Sequence, residues 1–156
     1  MDTSCSTSIT SDIPGKRLSQ SDLLRVNVVG SSGSGKSTFA RRLSEELGSP
    51  YVEMDRLFWE PNWIGVNAEV LRERLSKAIA GDRWVLDGNY HSKTKDLKWP
   101  KTTTIIWLDM SFGRTVWQSA TRAIRRAVTQ QELWPNTGNR ESFRRSFLSR
   151  DSIVLW

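Results

Sequence analysis

The sequence predicts an α/β fold in three layers, with a mostly parallel sheet of about four to five strands between helices. Three observations carry that prediction. Short apolar runs near residues 24–29, 51–54, 84–87 and 103–108 alternate with stretches of helical spacing. A glycine-rich loop, Gly30-Ser31-Ser32-Gly33-Ser34-Gly35-Lys36-Ser37, joins the first run to the first helical stretch. No internal repeat or linker composition divides residues 22–156, which read as one domain.

The loop fits G-x-x-x-x-G-K-[ST] without a mismatch. Glycines let main-chain N–H groups turn inward around a phosphate without Cβ clashes. Lys36 then reaches the β- and γ-phosphates, and the Ser37 hydroxyl is a ligand for Mg²⁺. The flanks agree with the pattern. Leu24, Val26, Val28 and Val29 suit a buried strand, and Phe39, Leu43 and Leu47 share one face of a helix. Strand, loop and helix together are a P-loop, with bound phosphates on the helix N-terminus. Gly30, Ser31, Ser32, Gly33, Ser34, Gly35, Lys36, Ser37 and Thr38 are the nucleotide-binding candidates, which makes a P-loop NTPase fold the expectation.

The totals limit the partners. A formal charge of +6 suits a phosphorylated ligand as well as a nucleic acid. The single cysteine, Cys5, excludes a disulfide framework and a cysteine zinc site, and fits a reducing compartment. No apolar run approaches the ~20 residues that span a bilayer, and the amino end lacks the apolar core of a secretory signal. The expectation is a soluble cytoplasmic protein without a membrane partner. Residues 1–21 are Ser/Thr-rich and aperiodic, and are expected to be a disordered tail; Asp2 and Asp12 argue against a transit peptide.

After the first helix, Gly48 is a C-cap and Pro50 stops continuation. The strand at Tyr51–Met54 ends at Asp55, and the aromatic, proline-broken stretch 55–63 is expected to be a loop. Ligands of open parallel sheets sit beyond the carboxyl ends of the strands. Asp55 is therefore a candidate for binding or deprotonating an acceptor, set against a turn-forming role. For Trp59 and Trp63, packing and pocket-lining readings are both open, with Phe58 on the same edge. Residues 66–80 are helical, with Val70, Leu71, Leu75, Ala78 and Ile79 as the buried stripe.

Trp84-Val85-Leu86 then forms a buried strand that ends at Asp87, and the next run, 103–108, ends at Asp109. Gly88 permits close approach of a ligand and Asn89 and Tyr90 add polar groups, so Asp87 is assigned to Mg²⁺. Asp109 precedes a long helix, where an acid caps N–H groups. His91 reads as an incidental loop residue.

Along residues 112–128, Phe112, Val116, Trp117, Ala120, Ala123, Ile124, Ala127 and Val128 fill one arc. Arg114, Gln118, Arg122, Arg125 and Arg126 fill the other. Arg122 and Arg126 are the candidates for clamping phosphate, ahead of Arg114. Thr129-x-x-Glu132 has the form of a capping box, 135–139 of a mobile loop, and 140–148 of a basic helix. Together, about 122–145 reads as a helical lid.

These residues resemble the P-loop kinases of the adenylate-kinase-like and shikimate-kinase-like group, nearest to the bacterial "topology modulation protein" branch. The matching pieces are VVGSSGSGKSTFARRL, MDRLFWEPNW, WVLDGNY, IIWLDMS and TQQELWPNTGNRESFRRSF, spread from Leu23 onward. The resemblance implies ATP as phosphoryl donor, Mg²⁺, a small-molecule acceptor and a five-stranded core. It assigns Gly30, Gly33, Gly35, Lys36, Ser37 and Thr38 to the nucleotide, Asp55 to the acceptor side and Asp87 to the metal side. Gln118 departs from the arginine expected there, and the chain ends at DSIVLW, before the group's last strand.

Phosphoryl transfer from ATP·Mg to a small acceptor is thus the leading expectation, for a monomer or weak homodimer. NTP hydrolysis is the second enzymatic reading; its GTPase version is disfavoured, because there is neither an N-K-x-D motif nor a D-x-x-G switch after Asp87. A nucleotide-sensing protein that binds nucleic acid is the third. It is not favoured, because the eight tryptophans are dispersed rather than interleaved with the arginines.

Overall fold

The computed structural model describes residues 19, 21–129, 138 and 139. Its centre is a four-stranded parallel sheet built from β1 (Arg25–Gly30), β2 (Tyr51–Glu53), β5 (Trp84–Asp87) and β6 (Thr104–Leu108). The spatial order is β2-β5-β1-β6. Register places Val28 beside Asp87, Gly30 beside Leu108 and Glu53 beside Asp87, so the carboxyl ends of all four strands lie along one edge. The four predicted runs thus become four strands, each within a residue or two of its expected bounds.

Side-chain alternation along the strands feeds two cores. Val26, Val28 and Val85 pack with Ala40 on α1 (Lys36–Leu47), joined by Leu43, Leu47, Tyr51, Ile106 and Leu108. On the other face Val52, Met54, Trp84 and Leu86 meet Leu71, Leu75 and Ile79 from α3 (Ala68–Ala78) and its C-cap. Helices therefore cover both faces, the three-layer arrangement that buried parallel strands require. The buried stripe expected for α3 is present. On α1 the stripe is rotated: Ala40, Leu43, Ser44 and Leu47 face the sheet while Phe39 is exposed. Small residues at 40 and 44 let the helix approach the sheet closely, which the bulk of Phe39 would prevent.

Residues 55–63 are not the expected loop. Met54–Phe58 forms a short helix, α2, and β3 (Trp59–Glu60) pairs antiparallel with β4 (Ile64–Gly65). Pro61 opens a 3-10 turn between them. Asn62 and Trp63 both take φ of 61°, and two successive left-handed residues reverse the chain sharply enough for a hairpin. A further helix, α4 (His91–Lys98), follows β5, so His91 opens a helix instead of sitting in a loop. Its sequence, HSKTKDLK, has too few apolar residues to show a helical period.

The last described helix is α5 (Phe112–Thr129). Val116, Trp117 and Ile124 are exposed, Trp117 by 71%, whereas Ser119 is buried. The cause is the neighbour: α5 lies against the polar main chain of the glycine loop, so its polar stripe turns inward. The side chains of Phe112, Ala123, Ala127 and Val128 lie outside the described residues, as do residues 130–132 of the expected capping box, the basic helix at 140–148, most of the expected lid and almost all of the tail. Among the described residues no helix is long and apolar enough to cross a membrane.

Candidate functional site

The glycine loop runs off the end of β1 into α1 and forms a compact turn, with Ser34 N donating to Ser31 O (3.2 Å). α1 begins at Lys36, no side chain caps it, and no acid stands in its first turn. Its N-terminal N–H groups and positive dipole end therefore remain directed at the loop, as an anion site requires. Gly33 has φ of +82°, and a Cβ there would run into Ser119 Oγ and stand 2.7 Å from Thr115 O. Only glycine fits this close approach of α5 to the loop.

The same contact brings an arginine to the phosphate side. Arg122, one turn beyond Ser119, places Nη2 3.5 Å from Ser32 Oγ. Of the two candidate arginines, Arg122 is thus at the loop; the side chain of Arg126 lies outside the described residues. Lys36 and Ser37 are half-buried at the start of α1, and Thr38 is exposed beside them.

Asp87 is almost wholly buried at the end of β5, next to β1. Its Oδ2 accepts from Tyr51 Oη at 2.9 Å, and its Oδ1 is buried without a hydrogen-bond partner. Ser34 Oγ, in the loop, is likewise buried and unpartnered. Burial and the Asp87 carboxylate hold the Tyr51 phenol far above its ordinary pKa, so it remains a donor. The Arg41 guanidinium lies over the Tyr51 ring, 5.3 Å from its centre. A buried carboxylate oxygen lacking a partner, on the strand beside the one that leads into the loop carrying Ser37, fits Mg²⁺. That cation prefers one or two protein oxygens plus phosphate and water. No cluster of three or more His, Cys, Asp or Glu that could hold a metal ion occurs among the described residues.

Asp55 lies on the same sheet edge, exposed on α2 two residues beyond β2. Its Oδ1 accepts from Tyr90 Oη at 2.8 Å. Burial, then the charge of Asp55, raises the Tyr90 phenol well above its normal range. Tyr90 also packs on Phe58, ring centres 5.0 Å apart, and Phe58, Trp59 and Trp63 follow in edge-to-face contacts of 4.8 and 5.6 Å. An aromatic wall therefore stands beside Asp55. Asn139 is buried against this wall's hairpin, donating to Glu60 O (2.8 Å) and accepting from Trp63 N (2.9 Å). Asp109, by contrast, is exposed at the end of β6, and the α5 ladder starts with Thr115 N donating to Ser111 O.

Sequence reasoning missed Tyr51 and Lys98. Tyr51 is merely the first residue of a short strand, and its partnership with Asp87 depends on β2 and β5 being neighbours. Lys98 ends an unforeseen helix and is completely buried, with its ammonium on the carbonyls that follow Asp87.

No curated protein matches the sequence. Among solved structures, a gluconokinase from Sinorhizobium meliloti 1021 is 20% identical, with a TM-score of 0.42 over 74% of this chain and 70% of that one. The profile of the ATPase family associated with various cellular activities (AAA) matches residues 26–109. That span holds the glycine loop, Asp55, Asp87 and all but the first residue of the four-stranded sheet, and it covers more than half of the sequence. The chain belongs to the ATPase family associated with various cellular activities.

Proposed function

We propose that this protein is a small-molecule kinase that moves the γ-phosphoryl group of ATP·Mg to a hydroxylated acceptor, a nucleotide or another metabolite. The observation that carries the reading is the sheet edge. An acid with a buried, unpartnered oxygen, Asp87, adjoins the glycine loop, and a second acid, Asp55, stands on the same edge against an aromatic wall. An ATPase needs the first acid; the second, with its wall, suits an acceptor.

In this reading the loop amides and Lys36 hold the phosphates, and Ser37 and Asp87 hold Mg²⁺. The cation, when bound, neutralises charge on the β- and γ-phosphate oxygens. Arg122, and Arg126 one turn further on, offset the charge that builds on the transferring group. The acceptor oxygen attacks phosphorus, the bond from phosphorus to the ADP oxygen breaks, and the acceptor proton passes to the Asp55 carboxylate. Tyr90 aims that carboxylate by its hydrogen bond. Tyr51 performs the same service for Asp87. The setting we assign is cytoplasmic, as a monomer or weak homodimer.

Family membership favours a second reading, ATP hydrolysis, in which water is the only acceptor. Nucleic-acid binding through exposed Trp117 and the arginines of α5 is a weaker third; its signature is affinity that falls steeply with salt. The deciding experiment has two stages. Calorimetry should show ATP binding that improves with Mg²⁺. Lys36→Ala should weaken it about tenfold or more, because a charge-assisted bond contributes ~1.5–3 kcal/mol. Asp87→Asn should remove the Mg²⁺ benefit, whereas Asp109→Asn should keep it. ADP release is then followed with a panel of sugar acids, nucleosides and nucleoside monophosphates. A rate that no acceptor raises above the water background would make the protein a hydrolase and defeat the kinase reading.

A further inference from the structure

The four residues Asp87–Tyr90 link the two acids of the site. Asp87 begins this turn, and Tyr90, which closes it, holds Asp55 through its hydroxyl. The backbone between them is unusual. Gly88 has φ of +120°, where a Cβ would stand 2.8 Å from Met54 Cβ, and Tyr90 has φ of 38°. Non-glycine residues enter that region only when their surroundings hold them there.

The surroundings are specific. Gly88 N donates to Val28 O at 3.1 Å, extending the sheet by one bond. The buried Asn27 amide, turned to satisfy its neighbours, donates to Gly88 O at 3.1 Å and Leu86 O at 3.3 Å. Tyr90 O accepts from Thr94 Oγ1 at 2.9 Å and from Lys93 N at 3.2 Å. The carbonyl of Asn89 accepts from Lys98 Nζ, which also lies 3.5 Å from Gly88 O.

Lys98 is the costly member of this set. It is completely buried, and among the described residues no carboxylate pairs with it. An ammonium removed from water without a counter-ion is strongly disfavoured. A methionine would fill a similar volume without that penalty, so the packing of α4 does not call for a charge here. What the charge adds is a donor whose hydrogen bonds are about twice as strong as neutral ones, aimed at the two carbonyls that follow Asp87.

We propose that Lys98 is a positioning residue for phosphoryl transfer: its buried ammonium clamps the Gly88 and Asn89 carbonyls and so sets the register between Asp87 and the Tyr90–Asp55 pair. This rests on the assignment of Asp87 to Mg²⁺ made above. The clamp acts through the main chain; Lys98 itself touches neither phosphate nor acceptor.

The test uses the full chain and two substitutions, Lys98→Met, which keeps length without a donor, and Lys98→Gln, a neutral donor. One readout is hydrogen exchange at the Gly88 amide, which reports the anchoring of the turn whether or not ligand is present. The other is calorimetric affinity for ATP with and without Mg²⁺. In Lys98→Met the Gly88 amide should exchange about tenfold faster. The Mg²⁺-dependent gain in ATP affinity should shrink several-fold, and Mg²⁺-free affinity should be unchanged. Lys98→Gln should recover much of both. Unchanged Gly88 exchange and an unchanged Mg²⁺ gain in Lys98→Met would overturn the proposal. So would equal losses in both variants accompanied by an equal fall in melting temperature, which would mean that Lys98 only packs. A wild-type protein with no Mg²⁺ gain would instead defeat the metal assignment of Asp87, and Gly88 exchange would still decide the role of Lys98.

Discussion

Raising the pH from about 7.5 to about 9.5 should stabilise the native state through Lys98 by ~2 kcal/mol. Burial pushes its ammonium from the ordinary 10.5 down to about 8. The folded state therefore sheds this proton near pH 8, and the unfolded chain keeps it until about pH 10.5. Between those values the unfolded state binds more protons, so stability rises with pH. Below pH 8 both states are charged and the full penalty of the buried cation is present. The whole shift corresponds to ~3.4 kcal/mol at 1.36 kcal/mol per unit, of which a little over half, ~2 kcal/mol, falls inside the interval. Tyr51 and Tyr90 act in the opposite sense. Their raised phenols stay protonated in the fold, so they lose stability as pH passes the unfolded value of 10.0, which is why the upper limit is kept below it. The assay is urea unfolding of the wild type and Lys98→Met at both pH values. The gap between the two proteins should move by ~2 kcal/mol in favour of the wild type at the higher pH. A gap independent of pH would refute the buried-cation argument, because two proteins that differ only at residue 98 share every other titration.

Asp55→Asn keeps an oxygen for the Tyr90 hydroxyl but removes the charge, so ATP affinity should be unchanged while acceptor-dependent ADP release falls about 10²–10⁴-fold. Activity within a few-fold of wild type would make Asp55 a structural residue and return the search for the acceptor site to Asn89 and Tyr90. Gly33→Ala should destabilise by about 1–3 kcal/mol and weaken ATP, because the left-handed backbone and the contact with Ser119 both forbid a methyl group. Gly113→Ala, where a Cβ in α5 meets nothing within 4 Å, should stabilise by about 0.5 kcal/mol. Urea midpoints with unchanged m-values check both glycines, and equal effects at the two positions would refute the close approach of α5 to the loop.

The sequence alone determined the sheet strands, the glycine loop and the acids at the ends of strands. Each is a local property: four short apolar runs, an eight-residue pattern with its flanks, and an aspartate that directly follows β-forming residues. Helices α1 and α3 were legible because three or more apolar residues repeat at helical spacing. Helix α4 was not, since HSKTKDLK is held by Thr94 and Lys98 bonding to the turn before it, and such bonds leave no period in the sequence. The inward face of α5 was not legible for a related reason. Amphipathicity says which residues resemble each other, but the neighbour decides which face is buried, and here the neighbour is the polar main chain at Gly33. Tertiary structure also paired Tyr51 with Asp87 across 36 residues and Tyr90 with Asp55 across 35. Those partnerships depend on β5 standing between β2 and β1, an order that only the packing of the whole sheet establishes.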